Sequence, residues 1–289
     1  MTDTGQLTDA LGTLATENAR AQAAVAALAA SHARLSATSV GFGYWRRGEP
    51  QEVRGSVPIV GERREPPPGA LWLDDFATLD PTRWAFETRY VHPAGTPGGM
   101  SAYGMFSPDP RLYNVADSVL TLSALYQSGT EWLMPILSTR GLVERQFGIW
   151  RAAMRWDAGH ALWPAFWLRD PNATTVNELD IVEAYPEPAT PRTYTATKIT
   201  ASGSQSLHLQ APADFSTEWH VYEAEWTASE FIARLDGAEM GRSPFAYALP
   251  ALYALLNLTV GVFWVPSVPN ASTPRNPKLQ VDWVGWWSN

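Results

Sequence analysis

The stretch Asn177-Glu178-Leu179-Asp180-Ile181-Val182-Glu183-Ala184-Tyr185 alternates acids with aliphatics. A strand of period two sets Glu178 and Asp180 on one face, with Leu179 and Ile181 on the other. Strict alternation would then send Glu183 away from the first two acids. A single bulge near Ile181 or Val182 reverses the phase and brings it back beside them. Three carboxylates crowded on one strand face repel one another, and glycoside hydrolysis is a chemistry that uses such crowding. It needs two carboxyls flanking the scissile bond, about 5 to 5.5 Å apart in retaining enzymes, one as nucleophile and one as proton donor. A third acid between them can hydrogen-bond the nucleophile and raise its neighbours' affinity for protons. The alternative is an acidic strand that simply faces solvent.

The elements that would position these acids read as β-structure. From residue 71 onward, short runs rich in aromatic and β-branched residues are broken by turn signals such as Asp236-Gly237, Pro97-Gly98-Gly99 and Ser128-Gly129. Regular short strands of this kind predict an all-β sandwich or barrel. The best strand candidates are 119–125, 149–156, 231–235, 255–262 and 279–287.

With those blocks in place, the chain resembles glycoside hydrolase family 16, whose signature is ExDxE or the bulged ExDxxE. The bulged form stands here as Glu178-Leu179-Asp180-Ile181-Val182-Glu183. It is preceded by Gly159-His160-Ala161-Leu162-Trp163-Pro164-Ala165-Phe166-Trp167-Leu168, which is similar to the family's strand before the catalytic one. Leu73-Asp74-Asp75-Phe76, with Leu79-Asp80 and Trp84, resembles the family's opening. Residues 215–226 with Asp236-Gly237, then Leu256-Asn257-Leu258-Thr259-Val260-Gly261, then Val281-Asp282-Trp283-Val284 resemble its later strands in the same order. The likeness covers residues 71–289.

That resemblance implies a β-jelly-roll sandwich of two curved antiparallel sheets, the concave one forming a groove. It also implies that Glu178 is the nucleophile, that Glu183 protonates the leaving oxygen and then deprotonates water, and that Asp180 holds Glu178. Two inversions give net retention of the β anomer. Trp163 and Trp167 match positions that line the sugar cleft. Where many members carry histidine on the following strand, this chain places Lys198, which could pair with an acidic sugar or with Glu183, or be solvated. The block Met134-Pro135-Ile136-Leu137-Ser138-Thr139 before Arg140 lacks the family's Ser-Gly. Trp132, Arg155 and Trp264 are candidates for further subsites. A structural calcium occurs in relatives, but no residue pattern here predicts a metal or any other cofactor, and the histidines show no metal-ligand spacing.

Composition narrows the remaining classes. In 289 residues there are 14 Trp and no Cys, so disulfides, thiolate metal sites and thiol nucleophiles are absent. An indole offers an apolar face and one N–H donor, serving equally in a core or as a platform for sugar rings. The net charge of −8 opposes general nucleic-acid binding, which needs a basic surface. No apolar run approaches the ~20 residues that span a bilayer.

The N-terminal region reads differently. Leu7, Leu14, Ala21, Leu28 and Leu35 alternate in steps of four and three with Leu11, Asn18, Val25 and His32. This is a heptad seam, and it predicts an α-helical coiled coil within residues 1–39 that assembles a homotrimer through residues 7–35. A lone helix lying on the domain is the alternative. Residues 40–70, punctuated by glycines and by Pro66-Pro67-Pro68-Gly69, read as a linker or small collar with one or two short strands around 53–60. Asp3, Asp9 and Glu17 occupy what would be the basic region of a secretory signal.

Together these readings give an endo-acting retaining β-glycan hydrolase. Its expected substrate is a bacterial exopolysaccharide or capsule, or a β-1,3- or mixed-linked glucan. A helical stem without a signal peptide suggests a bacteriophage tail-associated depolymerase, extracellular or virion-bound and attached to a larger assembly. A transglycosylase of the same fold and a noncatalytic carbohydrate-binding or structural tail protein are the rivals.

Overall fold

The structure is a computed structural model that describes residues 51–52, 65–87, 103–129, 131–172, 177–184, 193–200, 203–210, 217–244, 249–261 and 268–289. The expected coiled coil and most of the expected linker lie outside these residues, as do the strands expected around 53–60. Among the described residues the secondary structure is strand, apart from a single 3-10 turn at Pro110–Leu112.

Two large sheets carry the fold. In the first, the strands run in the order Gln51–Glu52, Gly203–Gln210, Thr193–Thr200, Glu178–Glu183, Leu162–Arg169, Leu252–Val260, Ile136–Ser138 and Ala85–Phe86; Glu144–Arg145 also pairs with Leu252–Val260. In the second, the order is Ala238–Pro244, Glu230–Leu235, His220–Trp226, Gly148–Trp156, Lys278–Trp287, Val119–Ser123 and Tyr113–Ala116, with Trp72–Asp74 also on Lys278–Trp287. Neighbours within both sheets are antiparallel, except that Gln51–Glu52 runs parallel to its partner. A third, three-stranded sheet joins Gly104–Phe106, Glu131–Met134 and Leu125–Ser128.

Period-two alternation explains how the large sheets stack. Phe166, Leu168, Leu179, Leu256 and Leu258 of the first sheet are buried in one core with Trp150, Met154, Tyr222, Trp226, Leu279 and Val281 of the second. Five strands match the sequence candidates with ends shifted by a few residues. The Asp236-Gly237 turn has φ of 51° and 83°, the paired positive values of the tight hairpin that Asp-Gly favours. Gly261, at φ 77°, ends the strand Leu252–Val260 where a side chain would collide with the ring of Tyr103.

The outer face of the second sheet has a small apolar cluster of its own, built from Ala153, Val221, Trp283 and Trp287. The Trp287 indole donates to the carbonyls of Pro67 and Pro68, each at 3.2 Å, so the proline run is drawn onto this face. Beside it runs a cross-strand ion ladder in which Arg151 and Arg234 both pair with Glu223, and Arg234 also with Glu225. These four charges are therefore paired on the second sheet, not on the sheet that carries the acid strand.

Candidate active site

The acid strand Glu178–Glu183 lies between the tryptophan strand Leu162–Arg169 and Thr193–Thr200. Arg169 stands opposite Glu178, Leu168 opposite Leu179 and Trp167 opposite Asp180; Phe166 then faces Val182, and Ala165 faces Glu183. Ile181 is skipped. The same offset recurs on the other side, where Asp180 pairs with Thr197 and Glu183 with Thr195. Ile181 is therefore the extra residue of a bulge, and its side chain is buried in the core with Val182. Residues directly opposite share a face. Glu178, Asp180 and Glu183 accordingly share one face with Arg169, Trp167, Ala165 and, by period two, Trp163. This is the arrangement expected from the sequence.

A proline within a central strand would normally break the ladder. Here the carbonyl of Pro164 accepts from Ala184 N–H at 3.1 Å, so the nitrogen that cannot donate falls where the acid strand has ended. The bulge and Trp-Pro thus fit together. Trp163 and Trp167 are both buried, and the indole N–H of Trp167 donates to Asn257 Oδ1 at 2.7 Å. Asn257 in turn donates to Thr259 Oγ1 at 3.0 Å. This chain of bonds fixes the Trp167 ring beside Asp180.

The electrostatics are those of charge held out of water. Burial raises the Glu178 carboxyl above its ordinary pKa, and the guanidinium of Arg169, which donates to Glu178 Oε2 at 2.9 Å, opposes that rise. Asp180 is pushed well above the ordinary range, first by burial and then by the charges of Glu183 and Glu178. Among the described residues its buried Oδ2 has no hydrogen-bond partner, a poor setting for an ionised oxygen. Asp180 is thus the member of the trio whose protonated form its surroundings favour most strongly. Asp180 lies under the influence of both glutamates, the charge of Glu183 weighing more than that of Glu178. The reason is geometric, because the bulge folds Glu183 toward Asp180 while Arg169 occupies Glu178.

Three candidate subsite residues stand elsewhere. Trp132 belongs to the three-stranded sheet, where it is a buried core residue with its ring 5.4 Å from that of Tyr126 in an edge contact. Arg155 lies on Gly148–Trp156 of the second sheet, with its guanidinium over Trp219 at 4.7 Å and its Nε donating to Gln280 at 2.8 Å. Alternation places it with Ala153 on the outer face, away from the acids. Lys198 pairs in register with Leu179, out of phase with Glu178 and Asp180, whose partners are Ile199 and Thr197. Trp264 lies outside the described residues. The divergent block before Arg140 still supplies a strand, Ile136–Ser138, whose Ser138 donates to Glu87 Oε1 at 2.7 Å. Among the described residues no cluster of His, Asp and Glu is arranged to hold a metal ion.

Two residues of this face were not singled out from the sequence. Arg169 follows Trp167 by two and so shares its face, a signal that period two alone provides. Tyr253 stands opposite Arg169 on the far side, and the Arg140 guanidinium lies 6.0 Å from its ring. Only the strand pairing reveals it.

Comparison with known proteins agrees with this geometry. A curated relative, the endo-1,3-1,4-beta-glycanase ExsH of Rhizobium meliloti (strain 1021), is 24% identical over 187 residues, 61% of this chain. The chain spans 39% of the length of that relative. Among solved structures, the laminarinase catalytic domain from Thermotoga maritima MSB8 superposes with a TM-score of 0.65 at 21% identity, covering 76% of this chain and 98% of that one. The endo-beta-1,3-glucanase from Pyrococcus furiosus gives 0.65 at 24% identity, over 76% and 95%. These likenesses establish the jelly-roll fold. Residues 115–285 match the family model for glycosyl hydrolases family 16, and with the bulged acid strand inside that span the chain belongs to this family.

Proposed function

We propose that the protein is an endo-acting, retaining β-glycan hydrolase. The observation that carries this is the bulge at Ile181, which sets Glu178, Asp180 and Glu183 on one strand face against Arg169, Trp167 and Ala165. In the first step the Glu178 carboxylate attacks the anomeric carbon while Glu183 gives its proton to the departing glycosidic oxygen. In the second, Glu183 takes a proton from water, and the resulting hydroxyl oxygen displaces Glu178 from the same carbon. Each displacement inverts, so the configuration is retained. Asp180, whose proton affinity is raised beside Glu183, disfavours a second negative charge in the site when Glu183 becomes anionic and Glu178 is held in the covalent ester. Trp163 and Trp167, buried on the same face, form a rigid apolar wall beside the acids.

The names of the relatives point to β-1,3- or mixed-linked glucans, and a bacterial exopolysaccharide with such linkages is a substrate of the same class. None of these relatives is named as a virion protein, and the tail-depolymerase setting is not part of the proposal. A reducing-end assay over β-1,3-glucan, mixed-linked glucan, galactans and purified bacterial exopolysaccharides tests the reading. Glu178→Gln is expected to lower turnover on the preferred glycan by about a thousandfold or more with the fold intact. Unchanged turnover would refute the mechanism. Proton NMR of the first products should show the β anomer before mutarotation. Lengthened products with little rise in reducing ends would instead identify a transglycosylase.

A further inference from the structure

We propose that Arg169 is a positioning residue for this reaction, anchoring the Glu178 carboxylate through Oε2 and holding it ionised for displacement. The inference rests on the hydrolase reading above. Its basis is a set of independent observations on one strand pair. Arg169 stands directly opposite Glu178 in the register, so the contact is set by the sheet itself. Its side chain is only 4% exposed, and Nη1 lies 2.9 Å from Glu178 Oε2. Buried arginine is costly unless its charge is paired, and a carboxylate at hydrogen-bond distance supplies the pairing. Asp180 and Glu183 on the acid strand are both acids. The register places Ile199 opposite Glu178 on the neighbouring strand. Beyond Arg169 comes Tyr253, with Arg140 over its ring and Glu87 within electrostatic reach.

Two consequences follow for catalysis. A carboxylate that must attack carbon needs one oxygen aimed and the whole group ionised. A bond from a buried, strand-borne guanidinium nitrogen to Oε2 restrains that oxygen and so limits the rotation of the group. The same charge counteracts the burial that favours the protonated, non-nucleophilic form. Arg169 therefore separates Glu178 from its two acidic neighbours: Glu178 sits beside a fixed cation, whereas Asp180 sits beside two acids. That asymmetry is what assigns different roles to carboxyls on one strand face.

The test compares Arg169→Leu, Arg169→Lys and Glu178→Gln on the β-glycan that the wild type cleaves best, with kcat and KM measured across pH and folding followed by circular dichroism and thermal melting. Arg169→Leu is expected to lower kcat by about tenfold or more, change KM little, and move the acid limb of kcat/KM upward by about one pH unit or more, the range expected for loss of an adjacent opposite charge. Arg169→Lys keeps the charge without the planar fork, so its acid limb should stay near that of the wild type while kcat still falls. A rise in KM at unchanged kcat would show that Arg169 binds substrate and would overturn the assignment. So would an unmoved acid limb in folded Arg169→Leu, or wild-type kcat in Arg169→Lys. If Arg169→Leu fails to fold, Arg169→Lys alone decides. Full activity of Glu178→Gln would sink the hydrolase mechanism itself, a different result from a failure at Arg169.

Discussion

Asp180 is buried beside two acids, and its proton affinity is therefore a stability term as well as a catalytic one. Its pKa lies well above the ordinary 3.8, chiefly through burial, so the folded state holds this proton more tightly than the unfolded chain. Where the native state binds more protons, stability falls as pH rises; the contribution is complete below the ordinary value and is lost as pH climbs toward the raised one. Asp180→Asn mimics the protonated group and removes that loss. It should melt close to the wild type near pH 4 but several degrees higher at pH 7, at about 2–4 °C per kcal/mol for a domain of this size, while kcat falls. Calorimetry at the two pH values checks this, and an equal difference at both would contradict it. The acids themselves were legible in the sequence because three carboxylates on one strand have no packing rationale. Arg169 was not singled out, since its role depends on which residue faces it across the sheet. The tryptophans divide similarly. Trp163 and Trp167 lie on the strand opposite the acids, in phase with them, whereas Trp132 and Trp150 are placed on other strands, and all four are buried, so an indole reads the same in either place.

At the scale of the element, the bulge is the device that matters. Ile181 is skipped in the pairing on both sides, so deleting it would leave Trp167 against Asp180, Phe166 against Val182 and Ala165 against Glu183 without a break. The deletion should therefore keep all three acids on one face and retain measurable turnover. Loss of a buried isoleucine should at the same time cost about 2–5 kcal/mol of stability. Inserting one alanine after Ile181 would instead throw Glu183 out of phase and abolish turnover. If the deletion is inactive though folded and the insertion active, the face argument fails. The bulge was foreseeable because strict alternation and a useful Glu183 are incompatible. Register between strands was not foreseeable to the same degree. That Lys198 pairs with Leu179 in the register is written in no property of Lys198 itself. Arg155 was misread for a related reason: a short aromatic strand reads alike in either sheet.

For the whole molecule, the division into an N-terminal seam and a β-sandwich makes one further prediction. Heptads over residues 7–35 should assemble three chains, so light scattering on the protein should give about three times 31.8 kDa. A mass of one chain, with residues 1–39 present, would refute it. The sandwich has a different consequence for how the protein is made. Lys278–Trp287 lies within the second sheet, flanked by Gly148–Trp156 and Val119–Ser123 and also paired with Trp72–Asp74. Three strands made much earlier thus share a partner that leaves the ribosome last among them. At roughly 5–20 residues per second, those earlier edges stay open for several seconds of synthesis. Those three strands cannot complete their pairing until residues 278–287 have been made, so the second sheet closes late.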